Sequence, residues 1–213
     1  MPTNTSTTRS LLHDHGRTFA ADAGIRVRNT PQPLYQLLVL ACLLSARIRA
    51  SVGTATARAL FEAGLRDPQR MADASWQQRV DVLGEGGYRR YDERTATQLG
   101  DGARYLLDTY GGDLRRLRAE ADGDVQTLRR LLRKLPGLGP VGADIFLREV
   151  QTTWPEVAPY FDGKAVQGAH KLGLPESAEA LARLVGADEY DVFAAALVRA
   201  ALDKRVVSGV TAG

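Results

Sequence analysis

Leu135-Pro136-Gly137-Leu138-Gly139-Pro140-Val141-Gly142-Ala143-Asp144-Ile145 is the stretch on which the fold turns. A basic helical run, Asp124 to Lys134, leads into it, and an apolar one, Ala143 to Val150, leads out. Gly137 and Gly139, with one apolar residue between them, predict a turn too tight for side chains that demand negative φ. Pro136 stops the incoming helix. Pro140 suits the first turn of the next one, where a missing N–H is no loss. The pattern is therefore helix, Gly-rich turn, helix, with several backbone N–H groups unused at the second helix's start. Such a terminus attracts anions through those donors and the aligned peptide dipoles. An ordinary helical hairpin packed in a core would carry the same local pattern, so the flanking sequence has to decide.

The chain has 213 residues, enough for one large or two small domains, and 44 % of them are apolar. Its formal charge of +3 permits nucleic-acid binding without demonstrating it. The clustering says more: Arg115, Arg116, Arg118, Arg129, Arg130, Arg133 and Lys134 gather just before the hairpin, although some of such a cluster is always solvated helix face. Cys42 is the single cysteine, which excludes an intrachain disulfide and a cysteine-held zinc or iron–sulfur cluster. His13 and His15 stand two apart and share no helix face, so they make a poor metal pair. The Thr- and Ser-rich start has no apolar core of a signal peptide, and no apolar run is long enough to span a bilayer. A cytoplasmic, nucleoid-associated protein is expected.

Read in order, Met1 to Arg9 is expected to be a disordered tail. Leu11 to Ala23 reads as a short helix, and Val27 to Pro33 as a loop. Leu34 to Ala46 is apolar almost all round, as a central buried helix is. It passes through Leu43-Leu44-Ser45-Ala46-Arg47 into Ile48 to Gly64. Two short helices follow over Asp67 to Ala74 and Ser75 to Leu83, then a break at Gly84-Glu85-Gly86-Gly87-Tyr88 and a long helix from about Tyr91 to Tyr110. Beyond the hairpin, Thr152 to Phe161 reads as a loop. Asp162 then stands where a helix N-cap belongs, ahead of Gly163 to Leu174. Helices over Glu176 to Val185 and Asp188 to Lys204 complete the chain. No stretch alternates as a strand would, so the fold class is all-α.

Leu-Pro-Gly-Leu-Gly, followed by the small Ala143 and an apolar helix, resembles the helix-hairpin-helix of the endonuclease III-like DNA glycosylases, whose hairpin amides grip a DNA phosphate. The segment Leu43 to Phe61 is similar to the family's run from a Leu-Leu-Ser-Ala turn into an Ala- and Thr-rich helix. The family usually follows that turn with a Gln that inserts into the duplex. Here the residue is Arg47, which could fill the same gap or merely complement a helix C-terminus. Tyr88 matches a Gly-rich turn with an aromatic, and could touch the damaged nucleotide or be an ordinary core residue. Tyr160-Phe161-Asp162 through Lys171-Leu172-Gly173-Leu174 matches the family's catalytic aspartate and the helix behind it.

The resemblance covers roughly Pro33 to Leu174 and implies a two-lobed helical fold. A central bundle would span 33–151 and end in the helix-hairpin-helix, about 124–150. Residues 10–32 and 152–213 would form a discontinuous second lobe, with a DNA-binding cleft between the lobes. The resemblance implies DNA contacts at Gly137, Gly139, Val141, Gly142, Arg47 and Lys164, a base pocket or wedge near Arg47 and Tyr88, and Asp162 as the catalytic carboxylate. It also implies a monovalent cation, K+ or Na+, on the backbone carbonyls of Arg133, Leu135 and Leu138.

Two departures shape the expected activity. Endonuclease III carries four cysteines for an iron–sulfur cluster near its C-terminus, and this chain has none there. Bifunctional members have a hairpin lysine where this chain has Val141, and valine cannot attack C1′ to form a Schiff base. The expectation is a monofunctional DNA N-glycosylase of base-excision repair, with AP-lyase activity weak or absent. It would act as a monomer on double-stranded DNA containing a lesion. The alternative is a catalytically silent reader of distorted or abasic DNA that keeps the hairpin and makes no chemical use of Asp162.

Overall fold

The computed structural model describes residues 3–211, and they contain helices, turns and loops but no strand. In chain order the helices are α1 (Asn4–His15), α2 (Phe19–Asp22), α3 (Pro31–Leu44), α4 (Ala50–Glu62), α5 (Pro68–Asp73), α6 (Trp76–Glu85) and α7 (Asp92–Tyr110). There follow α8 (Leu114–Glu120), α9 (Val125–Leu132), α10 (Pro140–Val150), α11 (Gly163–Lys171), α12 (Ala178–Ala182), α13 (Tyr190–Leu202) and α14 (Lys204–Thr211). None of them is long and apolar enough to cross a membrane. The described residues form two compact units, one within 1–19 and 147–213, the other within 20–146.

In the unit of residues 20–146, α3 is the centre. Its run from Leu37 to Leu43 is buried without a break, which is why the sequence shows no polar face there. α3 packs on α4 and α8, while α7 packs on α5 and α6. Side-chain caps set several starts: Asp67 receives the Arg70 N–H, Ser75 that of Gln78, and Asp124 that of Thr127. α3 begins at Pro31 rather than after Pro33, so the expected loop over Val27 to Pro33 is shorter. Thr30 is its N-cap position, and a proline in the first turn gives up only an N–H that would have no helical partner. α8 is an additional helix, started by Asp113 after the left-handed Gly111 closes α7.

In the other unit α13 is the buried axis, flanked by α11, α1 and α14. α11 crosses it at Gly168, where a Cβ would fall 1.8 Å from the Leu197 carbonyl oxygen. Only a glycine lets the two backbones approach that closely. The expected disordered tail over Met1 to Arg9 is corrected from Thr3 onward. Thr3 caps α1 by accepting the Ser6 N–H, and Thr7, Thr8 and Leu11 are buried, with α1 packed on α13 and α14. The polar composition that suggests disorder conceals a threonine-faced helix. Met1 and Pro2 lie outside the described residues.

Candidate nucleic-acid interface and carboxylate site

The hairpin lies between α9 and α10 in the unit of residues 20–146. Gly137 has φ of 86°, the left-handed conformation that the sequence requires of it. A Cβ there would also meet the Cys42 sulfur and Gln98 Cβ, each at 3.0 Å. The Cys42 thiol donates to the Gly137 carbonyl at 3.3 Å, and burial pushes that thiol's pKa up to about 12. Cys42 is thus an inert prop under the turn. Gly139 differs from its neighbour. Its φ is not left-handed, and a Cβ on it would meet nothing within 4 Å. No contact among the described residues requires glycine at 139, and the position is open to solvent.

Gly139 is also the residue before α10, and its carbonyl accepts the Ala143 N–H. Val141, in the first turn, is 58 % exposed, unusually bare for a valine. Gly142 faces inward instead, where a Cβ would press within 2.8 Å of Leu138 Cδ1, so packing accounts for that glycine. Arg129 on α9 binds Asp144 on α10 through two bonds of 2.5 and 3.1 Å. That pair clamps the hairpin legs and removes Arg129 from the charges available to a ligand.

Beside the turn opens a cavity of about 610 Å³. Its walls come from the α3–α4 turn (Ser45 to Arg47), the start of α7 (Tyr91, Arg94, Gln98), Tyr88, and Arg133 to Gly139. Arg47, Arg94, Arg133 and Lys134 are all exposed there, and no carboxylate lines the space. Tyr88 reaches the wall but is only 2 % exposed, set edge-on against Tyr91 at 6.5 Å between ring centroids. Tyr91, half-buried, is the more available ring. Of the three carbonyls expected to hold a cation, that of Leu135 also accepts the Leu138 N–H at 3.0 Å. A carbonyl oxygen has a second lone pair, so a monovalent ion remains compatible with the turn.

Asp162 belongs to the other unit and caps α11, with Oδ1 accepting the Ala165 N–H at 2.9 Å. Its second oxygen is taken as well: Arg148 Nη1 donates to Oδ2 at 2.6 Å, and the two side chains are 3 % and 7 % exposed for Arg148 and Asp162. The Arg148 guanidinium also lies 5.8 Å from the Phe19 ring centroid, while its buried Nε makes no hydrogen bond. An ion pair this buried holds its geometry tightly but recovers its desolvation cost poorly. Sequence reasoning missed Arg148, although an arginine inside an apolar run such as Ile145 to Val150 is itself a signal that a buried partner exists. Lys164, in the same unit, is exposed and donates to Gln167 Oε1 at 2.8 Å. Among the described residues, no group of three or more His, Cys, Asp or Glu side chains could hold a metal ion.

No family model and no curated protein matches the chain by sequence. Solved structures do match by fold. The structure of a trapped endonuclease III–DNA covalent intermediate, an estranged-adenine complex, is 19 % identical over 93 % of this chain and 86 % of that one, with a TM-score of 0.56. A non-covalent endonuclease III–DNA complex matches at the same identity and coverage, with a TM-score of 0.54. The fold is accordingly an all-helical one resembling that of endonuclease III.

Proposed function

We propose that this protein is a DNA N-glycosylase of base-excision repair, acting without an efficient lyase step. The observation that carries the proposal is the hairpin: a left-handed Gly137 braced by Cys42, and a Gly139 that no internal contact requires. An amide-rich turn at a helix start, beside four exposed cations, suits a DNA phosphate. A monovalent cation on the carbonyls of Arg133, Leu135 and Leu138 would add positive charge at the same place.

The chemistry would follow from an extruded nucleotide, whose unstacking costs a few kcal/mol and is cheapest at a damaged or mispaired base. As the bond from C1′ to the base breaks, the base takes the electron pair and positive charge develops on the sugar. Asp162 would stabilise that charge, water would add to C1′, and the proton it gives up would balance the one taken by the departing base. With Val141 in place of an amine on the hairpin, no Schiff base forms there.

The Arg148–Asp162 pair favours a second reading. Both carboxylate oxygens already have donors, and the pair's net charge is close to zero, which weakens its hold on a sugar cation. A reader of distorted DNA would need Asp162 only as a cap. One experiment separates the two. Duplexes carrying deaminated, oxidised and alkylated bases are incubated with the protein and treated with alkali to reveal abasic sites. Single-turnover excision by Asp162→Asn should then fall on the order of a hundredfold or more, because Asn still caps the helix but carries no charge. Gly139→Asp should weaken duplex binding more than tenfold at fixed salt, since ~1.4 kcal/mol of repulsion suffices. Equal excision by wild type and Asp162→Asn reduces Asp162 to a cap, whereas no excision of any lesion alongside preferred binding of distorted DNA establishes the reader instead.

A further inference from the structure

The cavity beside the hairpin carries more positive charge than a single phosphodiester needs. Arg47, Arg94, Arg133 and Lys134 contribute four cations to one space of about 610 Å³, with no carboxylate or histidine among its walls. The whole chain nets only +3. The local excess is therefore a concentration of charge, not a sample of a uniformly basic surface. Among the described residues none of the four has an ion-pair partner, unlike Arg129 with Asp144 or Arg115 with Asp113. The start of α10 adds its own positive end, since Gly139 also lines the space.

An internal phosphodiester offers one negative charge. A phosphate monoester offers about 1.5 to 2 at neutral pH, plus three strong acceptor oxygens. Cations gathered around one concave space respond to that difference more than cations spread over an open face, because their fields add there. The cavity also has a half-buried ring at its wall, Tyr91, against which a neighbouring base can stack, and Gln98 as a neutral donor.

We propose that this cavity binds the phosphate monoester at a DNA strand end, so that the protein holds gapped or nicked DNA by its terminal phosphate. The proposal rests on the reading that DNA is the ligand, and not on base excision. The hairpin would grip an internal phosphate of the same duplex, while the cavity takes the end. A strand-end phosphate is the product of enzymes that cut DNA backbones, so such cutting would create the preferred ligand.

The test is equilibrium fluorescence anisotropy with the full chain, at fixed salt, on duplexes with a one-nucleotide gap. One carries a 5′-phosphate at the gap, one a 3′-phosphate, and one hydroxyls on both sides. At pH 7.5 at least one phosphorylated duplex should bind about tenfold tighter than the hydroxyl form. That advantage should shrink at pH 5, where the monoester loses its second charge, its second pKa being about 6. The cavity wall has no carboxylate or histidine to titrate over that range. In Arg94→Ala/Lys134→Ala the ratio should fall toward one, and circular dichroism checks that these exposed substitutions leave the helices intact. Equal affinity for phosphorylated and hydroxyl-ended gaps overturns the proposal while leaving the hairpin's grip standing. Competition by inorganic phosphate as strong as that by the phosphorylated duplex also overturns it, in favour of a small-anion site. No binding to any duplex removes this proposal and the DNA reading together.

Discussion

Replacing Arg148 by methionine should destabilise the protein out of proportion to the volume changed. Methionine fills much of the same space, so the packing loss is small. What changes is Asp162, left 7 % exposed with a single donor, the Ala165 N–H, where it had two. Removing one partner of a buried pair costs about 3–5 kcal/mol, because the remaining charge stays desolvated. Against a total stability of about 5–15 kcal/mol for a domain, that is a large share. The second substitution is the discriminating one. Arg148→Met/Asp162→Asn removes the stranded charge and keeps the capping oxygen, so it should recover most of the loss. Urea unfolding followed by circular dichroism measures both, with the midpoint read at constant slope. A loss below about 1 kcal/mol for Arg148→Met, the range of an exposed pair, or a double variant no more stable than the single one, would refute the claim that burial makes this pair matter.

Three other outcomes follow from the geometry. Gly168→Ala puts a methyl into the Leu197 carbonyl, a backbone atom that cannot swing away, so the loss should lie at or above the upper end of the usual ~1–3 kcal/mol for overpacking; an unchanged melting temperature would contradict the crossing of α11 and α13. Cys42, with its thiol pushed up to about 12 by burial, should resist iodoacetamide at pH 8 in the folded protein and react at once in urea; rapid labelling of folded protein would mean the turn is not braced as described. Borohydride should fail to trap a covalent complex with abasic DNA at rates typical of a lysine-bearing hairpin, and trapping abolished by Lys164→Ala would identify an unexpected nucleophile.

What could be read in advance was whatever has a local cause. The hairpin is encoded by proline and glycine placement, and Gly137 takes the left-handed conformation that placement requires. Asp162 caps α11 because a carboxylate at that position finds the Ala165 N–H without help from distant residues. α3 declares its burial through a run with no polar face. The failures have non-local causes. Nothing in Asn4 to Arg9 reveals that Thr7 and Thr8 are buried in a helix packed on α13, so that stretch reads as disordered. Arg129 and Arg133 look alike in the sequence; only the fold places one against Asp144 and the other at the cavity. Arg94 lies far along the chain from the hairpin and joins it only in three dimensions.

The two glycines of the turn show how internal and external demands can be separated. Gly137 is explained three times over within the chain, by its left-handed φ, by the Cys42 sulfur and by Gln98. Its presence therefore fixes the shape of the turn and does not by itself report a ligand's approach. Gly139 has none of these reasons, yet it stands exposed between the buried Leu138 and the start of α10. The same test divides Gly142, spent on Leu138, from Val141, which is exposed. Applied to carboxylates, it is less generous to the enzyme reading: Asp162 is fully explained by the Ala165 N–H and Arg148. A cap alone, however, would not call for a buried arginine on the second carboxylate oxygen, since Ser, Thr or Asn would serve the same N–H. The arginine makes sense if the carboxylate's charge and orientation are what the fold preserves. The same pair that neutralises Asp162 therefore also fixes its orientation, and single-turnover excision by Asp162→Asn decides whether that orientation serves chemistry or capping alone.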